Sequence, residues 1–305
     1  MSELVVLSLL PVIAMIVLGH LMRRRAFLAD TFWPQAERLS YYVLLPCLFI
    51  HSLSTGDLSS LPVQGLMATL VGAIVLVSIM LMALRPLMTT DGPVFTSIFQ
   101  GSVRFNNYIG VSLAAGVFGT RGIALAALCN AIIVPTVNLL CVLVFARFGS
   151  SRLTLRGVLR QIATNPLLVA CLIGAMMQVL GLHLPPGIEG AMKSLGAASM
   201  PIGLLCVGAA LSFATMGAWM RPLLISSASR FAVMPVVTLG LALLLGLDPV
   251  ATAVALMFQC MPTASSSYIM ARQLGGDAPL MAGIVAVQTV AAGIAIPLVL
   301  AVLLV

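Results

Sequence analysis

Apolar segments of about 20 residues recur along the whole chain, and they limit its fold more than any other feature. A helix needs about that length to cross a bilayer, whereas the strands of a membrane barrel are shorter and alternate apolar with polar residues. Of the 305 residues, 61% are hydrophobic and only 8% are charged, against about 25% charged in soluble domains. The sequence therefore predicts an all-α integral membrane protein.

Ten such segments can be delimited, and short connections with turn residues, such as Pro185-Pro186-Gly187, separate them. We therefore expect ten transmembrane helices with no soluble domain between them. The segments lie at about residues 4–22, 33–53, 61–84, 93–118, 122–146, 162–182, 187–213, 222–245, 249–274 and 278–304.

Basic residues gather at alternate connections and so predict the orientation of the chain. Arginines lie at the odd-numbered connections, while the even-numbered ones have only Arg121 and Lys193. Because lysine and arginine accumulate in cytoplasmic loops, we expect the odd connections in the cytoplasm and both termini outside. The arginines at the odd connections are Arg23, Arg24, Arg25, Arg38, Arg85, Arg147, Arg152, Arg156, Arg160, Arg221 and Arg272.

The same placement excludes several classes of protein. The chain has 15 basic and 8 acidic residues, but the arginines lie mostly between apolar segments, so the expected partner is the bilayer and not a nucleic acid. The 6 cysteines are scattered singly, without a C-x-x-C pair, which predicts packing roles and no metal site or cofactor. No Ser–His pair, paired aspartates or H-E-x-x-H motif occurs at mid-membrane depth, so we do not expect an enzyme.

The two halves of the chain repeat with a constant offset. Pro46 and Pro201 lie 155 residues apart, and so do Asn107 and Pro262. A unit of five segments is odd in number, so a second copy enters the membrane upside down, which is the plan of many secondary transporters. The sequence predicts a first inverted repeat over 1–146, a cytoplasmic basic linker over 147–161 and a second repeat over 162–305.

Polar residues interrupt the fourth segment midway, from Arg104 to Gly110. A guanidinium and two carboxamides, Asn106 and Asn107, are costly in a bilayer unless they face protein, water or a ligand. Asparagine also competes for backbone hydrogen bonds, and glycine weakens a helix. We expect a helix broken at mid-membrane.

A second interruption is predicted in the ninth segment, from Cys260 to Ser267. Pro262 removes a backbone donor and clashes with the preceding turn, and the hydroxyls after it can satisfy the freed carbonyls or bind a ligand. A simple proline kink is the alternative. The first interruption lies at the equivalent position in the other half of the chain, and this favours a pair of broken helices.

Five motifs follow one another along the chain: GHLMRR at 19–24, YVLLPCLFIHSL at 42–53, R-x-N-N with I-G at 104–110, PIGL at 201–204 with G-A-x-L at 208–211, and MPTA at 261–264 with ARQ at 271–273. In this order they resemble the auxin efflux carrier family, which includes bacterial malonate-transporter-like permeases and, more distantly, plant auxin exporters. The resemblance covers nearly the whole chain. It implies that segments four and nine are broken and cross at mid-membrane, and that segments 1, 2, 6 and 7 form a scaffold. Segments 3–5 and 8–10 then form a mobile, elevator-like transport domain in a homodimer of the bacterial inner (plasma) membrane.

The interruptions point to a site for a small organic anion. Arg104 offers a full charge and a planar, two-pronged donor for a carboxylate, and the half-helices that begin after each break add free amides and a positive dipole. A pairing of Arg104 with a backbone carbonyl is the alternative. The family suggests malonate or an auxin-like acid as the substrate. The expected binding residues are Arg104, Asn106, Asn107, Pro262, Thr263, Ser265 and Ser266.

Coupling to an ion is open, because the 8 acidic residues all lie in connections or at segment ends and proton-driven carriers usually hold a carboxylate within the membrane. We favour a uniporter or a symporter with neutral ligands over proton coupling, and expect an interfacial role for His51. The alternatives are a sodium-coupled symporter of the bile-acid-transporter type and a membrane receptor that does not transport. Further candidate contacts for an ion or the substrate are Asn130, Asn138, Gln259, Ser267 and Gln288.

Arg230 is the second charge inside a segment, and no acidic partner is visible in its own segment. Three roles are open for it. It can snorkel to the membrane surface, bond carbonyl groups near a break, or add to the anion site.

Overall fold

Helices make up the regular secondary structure of the chain. The computed structural model describes residues 2–55, 61–88, 90–150, 163–211 and 220–303, and no β-strand occurs within these ranges. The all-α prediction is therefore confirmed for this part of the chain.

The helices follow the predicted apolar segments closely. Before the predicted linker the chain forms α1 (Ser2–Arg24), α2 (Phe32–Leu39), α3 (Leu45–Thr55), α4 (Val63–Met88), α5 (Gly92–Val103) and α6 (Asn107–Phe148), and after it the first helix of the second half is α7 (Pro166–Val179). The second half continues with α8 (Pro186–Ala210), α9 (Met220–Ala228), α10 (Met234–Leu244), α11 (Pro249–Gln259), α12 (Ser266–Leu274) and α13 (Ala278–Leu303). Two π-helical turns, Ser40–Leu44 and Ser229–Val233, join α2 to α3 and α9 to α10.

The connection predicted between segments four and five is a kink inside α6. Gly119 has φ 58° and ψ −139°, a conformation that a residue without a Cβ adopts most readily. The chain therefore turns here at a single glycine, without a separate loop.

Five stretches are long and apolar enough to cross a membrane: Val63–Met88, Gly92–Phe148, Pro186–Ala210, Met220–Leu244 and Ala278–Val299. Shorter apolar helices are Pro166–Val179 and Pro249–Gln259. Large apolar side chains stay exposed on these helices, among them Val236, Ile294 and Leu298. Exposed apolar surface of this extent needs a cover, and the lipid bilayer supplies one. The fold is that of an all-α integral membrane protein.

Aspartates at segment ends act as helix N-caps. The carboxylate of Asp91 accepts a hydrogen bond from the backbone N–H of Val94 at the start of α5. Asp248 accepts from Val250 and Ala251 at the start of α11. Such a cap satisfies amides that have no partner within the helix, and its negative charge suits the helix dipole. This role accounts for the acidic residues at these two positions.

The chain divides into two compact units. Unit 1 comprises Met1–Val63, Asn107–Ala131 and Ala163–Ala210. In it α1 packs along α8, and α3 packs along α7 and α8. A Cβ on Gly208 would collide with the carbonyl oxygen of Ile16, and one on Gly19 with that of Leu205. Glycine at these two positions therefore lets the backbones of α1 and α8 approach closely, as small residues do in membrane helix pairs.

Unit 2 comprises Gln64–Asn106, Ile132–Ile162 and Leu211–Val305. Here α9 packs against α5 and α13, and Gly101 of α5 lies against Ser226 and Ile284. These two units reflect which parts of the chain contact each other, and they do not test whether the two halves repeat. The predicted repeats, scaffold and transport domain therefore stay predictions. Most of the predicted basic linker, 151–161, lies outside the described residues, with Arg152, Arg156 and Arg160.

Candidate functional site

The first interruption separates α5 from α6 and is only three residues long. Residues Arg104, Phe105 and Asn106 are not helical, and Arg104 has an extended backbone with φ −76° and ψ 156°. The predicted break extends to Gly110, but the helix resumes at Asn107. Asparagine thus stands at the start of a helix, where it is tolerated better than in the interior.

The second interruption separates α11 from α12. Residues 260–265 are not α-helical, and the helix resumes at Ser266. Pro262 lies in the middle of this stretch and is buried. Its missing N–H and rigid ring account for the break, as the sequence predicts.

Arg104 extends its side chain from the first interruption to α6 and α12. Nη1 donates to Oδ1 of Asn138 at 3.3 Å and to Sδ of Met270 at 3.0 Å. Nη2 donates to Oγ of Ser266 at 3.4 Å. The side chain is partly exposed, and within the described residues no carboxylate pairs with it. The guanidinium therefore lies beside neutral partners, with no acidic side chain to balance its charge in the part of the chain that the structure describes.

Arg230 holds the two interruptions together from the π-helical turn Ser229–Val233. It is fully buried. Nε donates to the carbonyl of Met261 and Nη2 to that of Phe258 at 3.0 Å. Nη1 donates to the carbonyls of Val103 at 3.3 Å and Ser102 at 3.4 Å.

These four carbonyls belong to the last turns of α5 and α11 or to the break that follows. Carbonyls at a helix C-terminus have no partner within the helix and carry partial negative charge. A buried arginine satisfies them and balances that charge. Of the three roles open for Arg230, the structure therefore shows the bonding of carbonyls near a break.

Gln288 of α13 forms a second bridge between the interruptions. Its Oε1 accepts from the backbone N–H of Thr263 at 3.0 Å. Its Nε2 donates to the carbonyl of Gly101 and to Oγ of Ser226, both at 3.1 Å. The amide is thus engaged at both ends, and the structure places Gln288 among the supports of the breaks.

Backbone amides within the second break and at the start of α12 are also engaged. Thr263 N–H bonds Gln288, Ser267 N–H bonds the carbonyl of Ala264, and Tyr268 N–H bonds that of Ser265. The hydroxyls of Thr263 and Ser267 bond each other at 3.2 Å, and both residues are buried. These three amides are therefore not free, and the expectation of free amides is not met by Ser267 and Tyr268 at the start of α12.

The remaining predicted residues lie in several environments. Asn106 is buried, and Ser265 is half-buried. Asn107 is half-buried, and its Oδ1 has no hydrogen-bond partner within the described part of the chain. Asn130 donates to the carbonyl of Ala126 in its own helix, and Gln259 donates to the carbonyl of Leu70 at 3.4 Å. The structure thus brings Arg104, Asn138 and Ser266 together, and leaves Asn130 in unit 1.

Two residues whose side chains contact the site were not predicted from the sequence. Met270 follows Ser266 by one helical turn on the same face of α12, so the helical period alone could have indicated it. Ser226, which bonds Gln288, lies in another segment, and nothing in the local sequence marks it.

Comparison with known proteins gives two matches. A family model described as membrane transport protein matches residues 4–300. The chain is also similar to the uncharacterized transporter MJ1031 of Methanocaldococcus jannaschii, with 25% identity over 185 residues. The aligned region covers 60% of this chain and 59% of the length of that protein.

Proposed function

The chain belongs to the membrane transport protein family, and from this premise we propose that it is a secondary transporter for a small organic anion. The family is one of membrane transporters and not of enzymes. The observation that carries the anion proposal is Arg104, a partly exposed cation at an interrupted helix whose described partners are all neutral.

A carboxylate is the ligand that fits this arrangement best. The planar guanidinium can bind both oxygens of a carboxylate at once, and such charge-assisted bonds are stronger than neutral ones. Asn138 and Ser266 fix the plane of Arg104, while the N-terminus of α12 beside Ser266 adds positive partial charge. Malonate and auxin-like acids are the first candidates, from the resemblance in the sequence.

Arg230 is better assigned to support of the site than to the ligand. All its described hydrogen bonds go to backbone carbonyls, and the side chain is fully buried. Among the described residues at the two interruptions, Arg104 is then the cation that a dicarboxylate can reach, and its second carboxylate would need other partners.

The proposed architecture is ten transmembrane helices in two inverted repeats, with the broken helices crossing at mid-membrane. Three observations support it. The carbonyls of Val103 and Phe258 both accept from the guanidinium of Arg230, and these residues lie 155 positions apart. The same offset separates Pro46 from Pro201 and Asn107 from Pro262. Asp91 and Asp248 cap the first half of each broken helix. Both interruptions lie in unit 2.

The mechanism we propose is alternating access of the elevator type. Helices 3–5 and 8–10 in the ten-helix count form the moving domain, and helices 1, 2, 6 and 7 form the scaffold. We place the protein as a homodimer in the bacterial inner membrane, with both termini outside, on the basis of the resemblance and the arginine distribution.

A sodium-coupled symporter is the second candidate. Neutral oxygens can bind sodium, and two buried candidates, Oδ1 of Asn130 and Oε1 of Gln259, have no hydrogen-bond partner within the described residues. The oxygens of Asn138 and Gln288 already accept hydrogen bonds from Arg104 and Thr263. Sodium coupling would therefore depend on Asn130 or Gln259 more than on the other amides.

Reconstitution tests the proposal. The purified protein is placed in liposomes, and uptake of radiolabelled malonate and of an aromatic monocarboxylate is measured against concentration, with sodium and pH varied separately. A transporter gives flux that saturates with substrate and shows counterflow. Flux that rises linearly would indicate a channel, and binding without any flux would indicate a receptor.

A further inference from the structure

Unit 1 contains a cavity that the proposed transport site does not use. Its volume is about 610 Å³, and α3, α6 and α8 surround it. Much of its wall is apolar, with contributions from Leu48, Ala124 and Met200, of which Leu48 and Ala124 are buried. Small-molecule sites occupy about 300–1,000 Å³ and are mostly apolar, so both the size and the wall suit a small organic ligand.

Three nitrogen-bearing side chains line the same cavity, one from each helix. They are His51 of α3, Arg121 of α6 and Lys193 of α8. Arg121 and Lys193 are exposed to solvent, while Leu48, Leu61 and Ala124 of the apolar wall are buried. Arg121 follows the kink at Gly119 by two residues, so this kink sets its position at the cavity.

One carboxylate belongs to this group of charges. Oε1 of Glu189 lies 3.6 Å from Nε2 of His51. No salt bridge to Lys193 occurs in the part of the chain that the structure describes. Two permanent cations and one carboxylate give these side chains a net positive charge, which attracts anions to the cavity.

We propose that this cavity binds an amphipathic organic anion. Its carboxylate contacts Arg121 and Lys193, and its apolar body packs against Leu48 and Ala124. Arginine and lysine are the usual ligands of such groups, one through its planar fork and the other as a point charge. Arg104 is no part of this site, so the inference does not depend on the proposed transport function.

Binding of 2-naphthoate to the full-length protein tests this inference. The protein is placed in nanodiscs of phosphatidylcholine, and binding is measured by calorimetry for the wild type and for the double variant Arg121→Gln/Lys193→Gln. Loss of two charge-assisted contacts is expected to weaken binding about tenfold or more. Arg24→Gln, an exposed arginine of α1 in the same unit, is the matched control and is expected to leave the affinity unchanged.

A second variant tests the apolar part of the cavity. Ala197 lines the cavity and is exposed, so Ala197→Trp fills the space with little effect on packing and is expected to weaken 2-naphthoate binding. Arg104→Ala is expected to leave binding at this cavity intact, which separates it from the transport site. Equal affinity of the wild type, the double variant and Ala197→Trp would overturn the proposal.

A parallel arm identifies the source of the anion. Phosphatidylglycerol is added to the nanodiscs, and 2-naphthoate binding is measured again. Phosphatidylglycerol that weakens 2-naphthoate binding to the wild type by a larger factor than its binding to the double variant assigns the cavity to an anionic lipid headgroup, and binding that is unchanged by the lipid assigns it to soluble carboxylates. Either result supports an anion site, and competition that is equal in the double variant contradicts it.

Discussion

The carbonyl oxygens of Val103 and Phe258, 155 residues apart in the chain, accept hydrogen bonds from one guanidinium, that of Arg230. Each carbonyl belongs to the last turn of a helix that stops inside unit 2. Two helix C-termini that meet without a cation would repel each other through their dipoles. The arginine therefore makes this meeting of helix ends stable.

Removal of this arginine is expected to destabilise the protein strongly. Arg230→Met leaves four backbone carbonyls without their donor, at a cost of roughly 3 kcal/mol or more. Arg230→Lys keeps the charge but loses the planar fork, so its unfolding temperature is expected to lie between those of the wild type and Arg230→Met. Thermal unfolding in detergent measures the effect.

The control for this variant is Arg221→Met. Arg221 is an exposed arginine of α9 that donates to the carbonyl of Leu87 at 3.4 Å. Its loss is expected to change the unfolding temperature little. Equal unfolding temperatures for Arg230→Met and Arg221→Met would contradict the supporting role of Arg230.

Substitution of Arg104 is expected to act on the substrate more than on stability. Its side chain is partly exposed, and its two contacts to oxygen atoms are long, 3.3 Å to Asn138 and 3.4 Å to Ser266. Arg104→Lys and Arg104→Ala are expected to weaken carboxylate binding about tenfold or more, because both lose the two-pronged contact. Shifts of the unfolding temperature with added malonate, followed by uptake in liposomes, measure the change.

Arg85→Lys is the matched variant for Arg104. Arg85 is also partly exposed and lies in unit 2, where its guanidinium packs 4.1 Å from the ring centroid of Phe148. Its substitution is expected to leave carboxylate affinity unchanged. Normal affinity in Arg104→Ala with normal insertion into the membrane would show that the anion binds elsewhere.

Two buried glutamines are expected to differ in their effect on stability. Gln288→Leu removes three hydrogen bonds and leaves the N–H of Thr263 and the carbonyl of Gly101 unpaired, at a cost of about 1–3 kcal/mol for each group. Gln259→Leu removes one bond of 3.4 Å and an oxygen that already lacks a partner within the described residues. We expect Gln259→Leu to be tolerated and Gln288→Leu to unfold at a clearly lower temperature. The reverse order would contradict the bridge through Gln288.

Two glycines of α8 form a matched pair for the contact with α1. A Cβ at Gly208 meets the carbonyl of Ile16, whereas nothing lies within 4 Å of a Cβ at Gly190. Gly208→Ala is expected to separate the helices and lower the unfolding temperature. Gly190→Ala is expected to be neutral or to stabilise by up to about 1 kcal/mol, through its helix propensity. Similar unfolding temperatures for both variants would show that α1 and α8 can move apart without cost.

The sequence predicts the helices and the interruptions well, because their causes are local. Pro262 cannot donate a hydrogen bond, and this is visible without any tertiary contact. The end of the first break is less well predicted, because Asn107 weakens a helix interior but can also begin a helix. The segments themselves follow from hydropathy alone.

The partners of polar side chains are harder to predict, because they belong to distant segments. The amides after Pro262 look free in the sequence, yet Gln288, 25 residues away, accepts from one of them. Arg230 shows no acidic partner in its segment, because its partners are backbone carbonyls that only the breaks release. The sequence alone does not distinguish Asn130 from Asn138, which lie in the same segment. In the structure Asn130 bonds a carbonyl of its own helix, whereas Asn138 accepts from Arg104.

The π-helical turn Ser229–Val233 places Arg230 in a helix that is otherwise α-helical. A π-turn contains one residue more than the α-helical turn it replaces. Deletion of a single residue here would let this turn close into a regular α-helix with the flanking segments in register, and would change the direction of the side chains within the turn, that of Arg230 among them. The guanidinium would then leave the carbonyls of both broken helices. The number of residues in this helix is therefore constrained, even at positions where the type of residue is not.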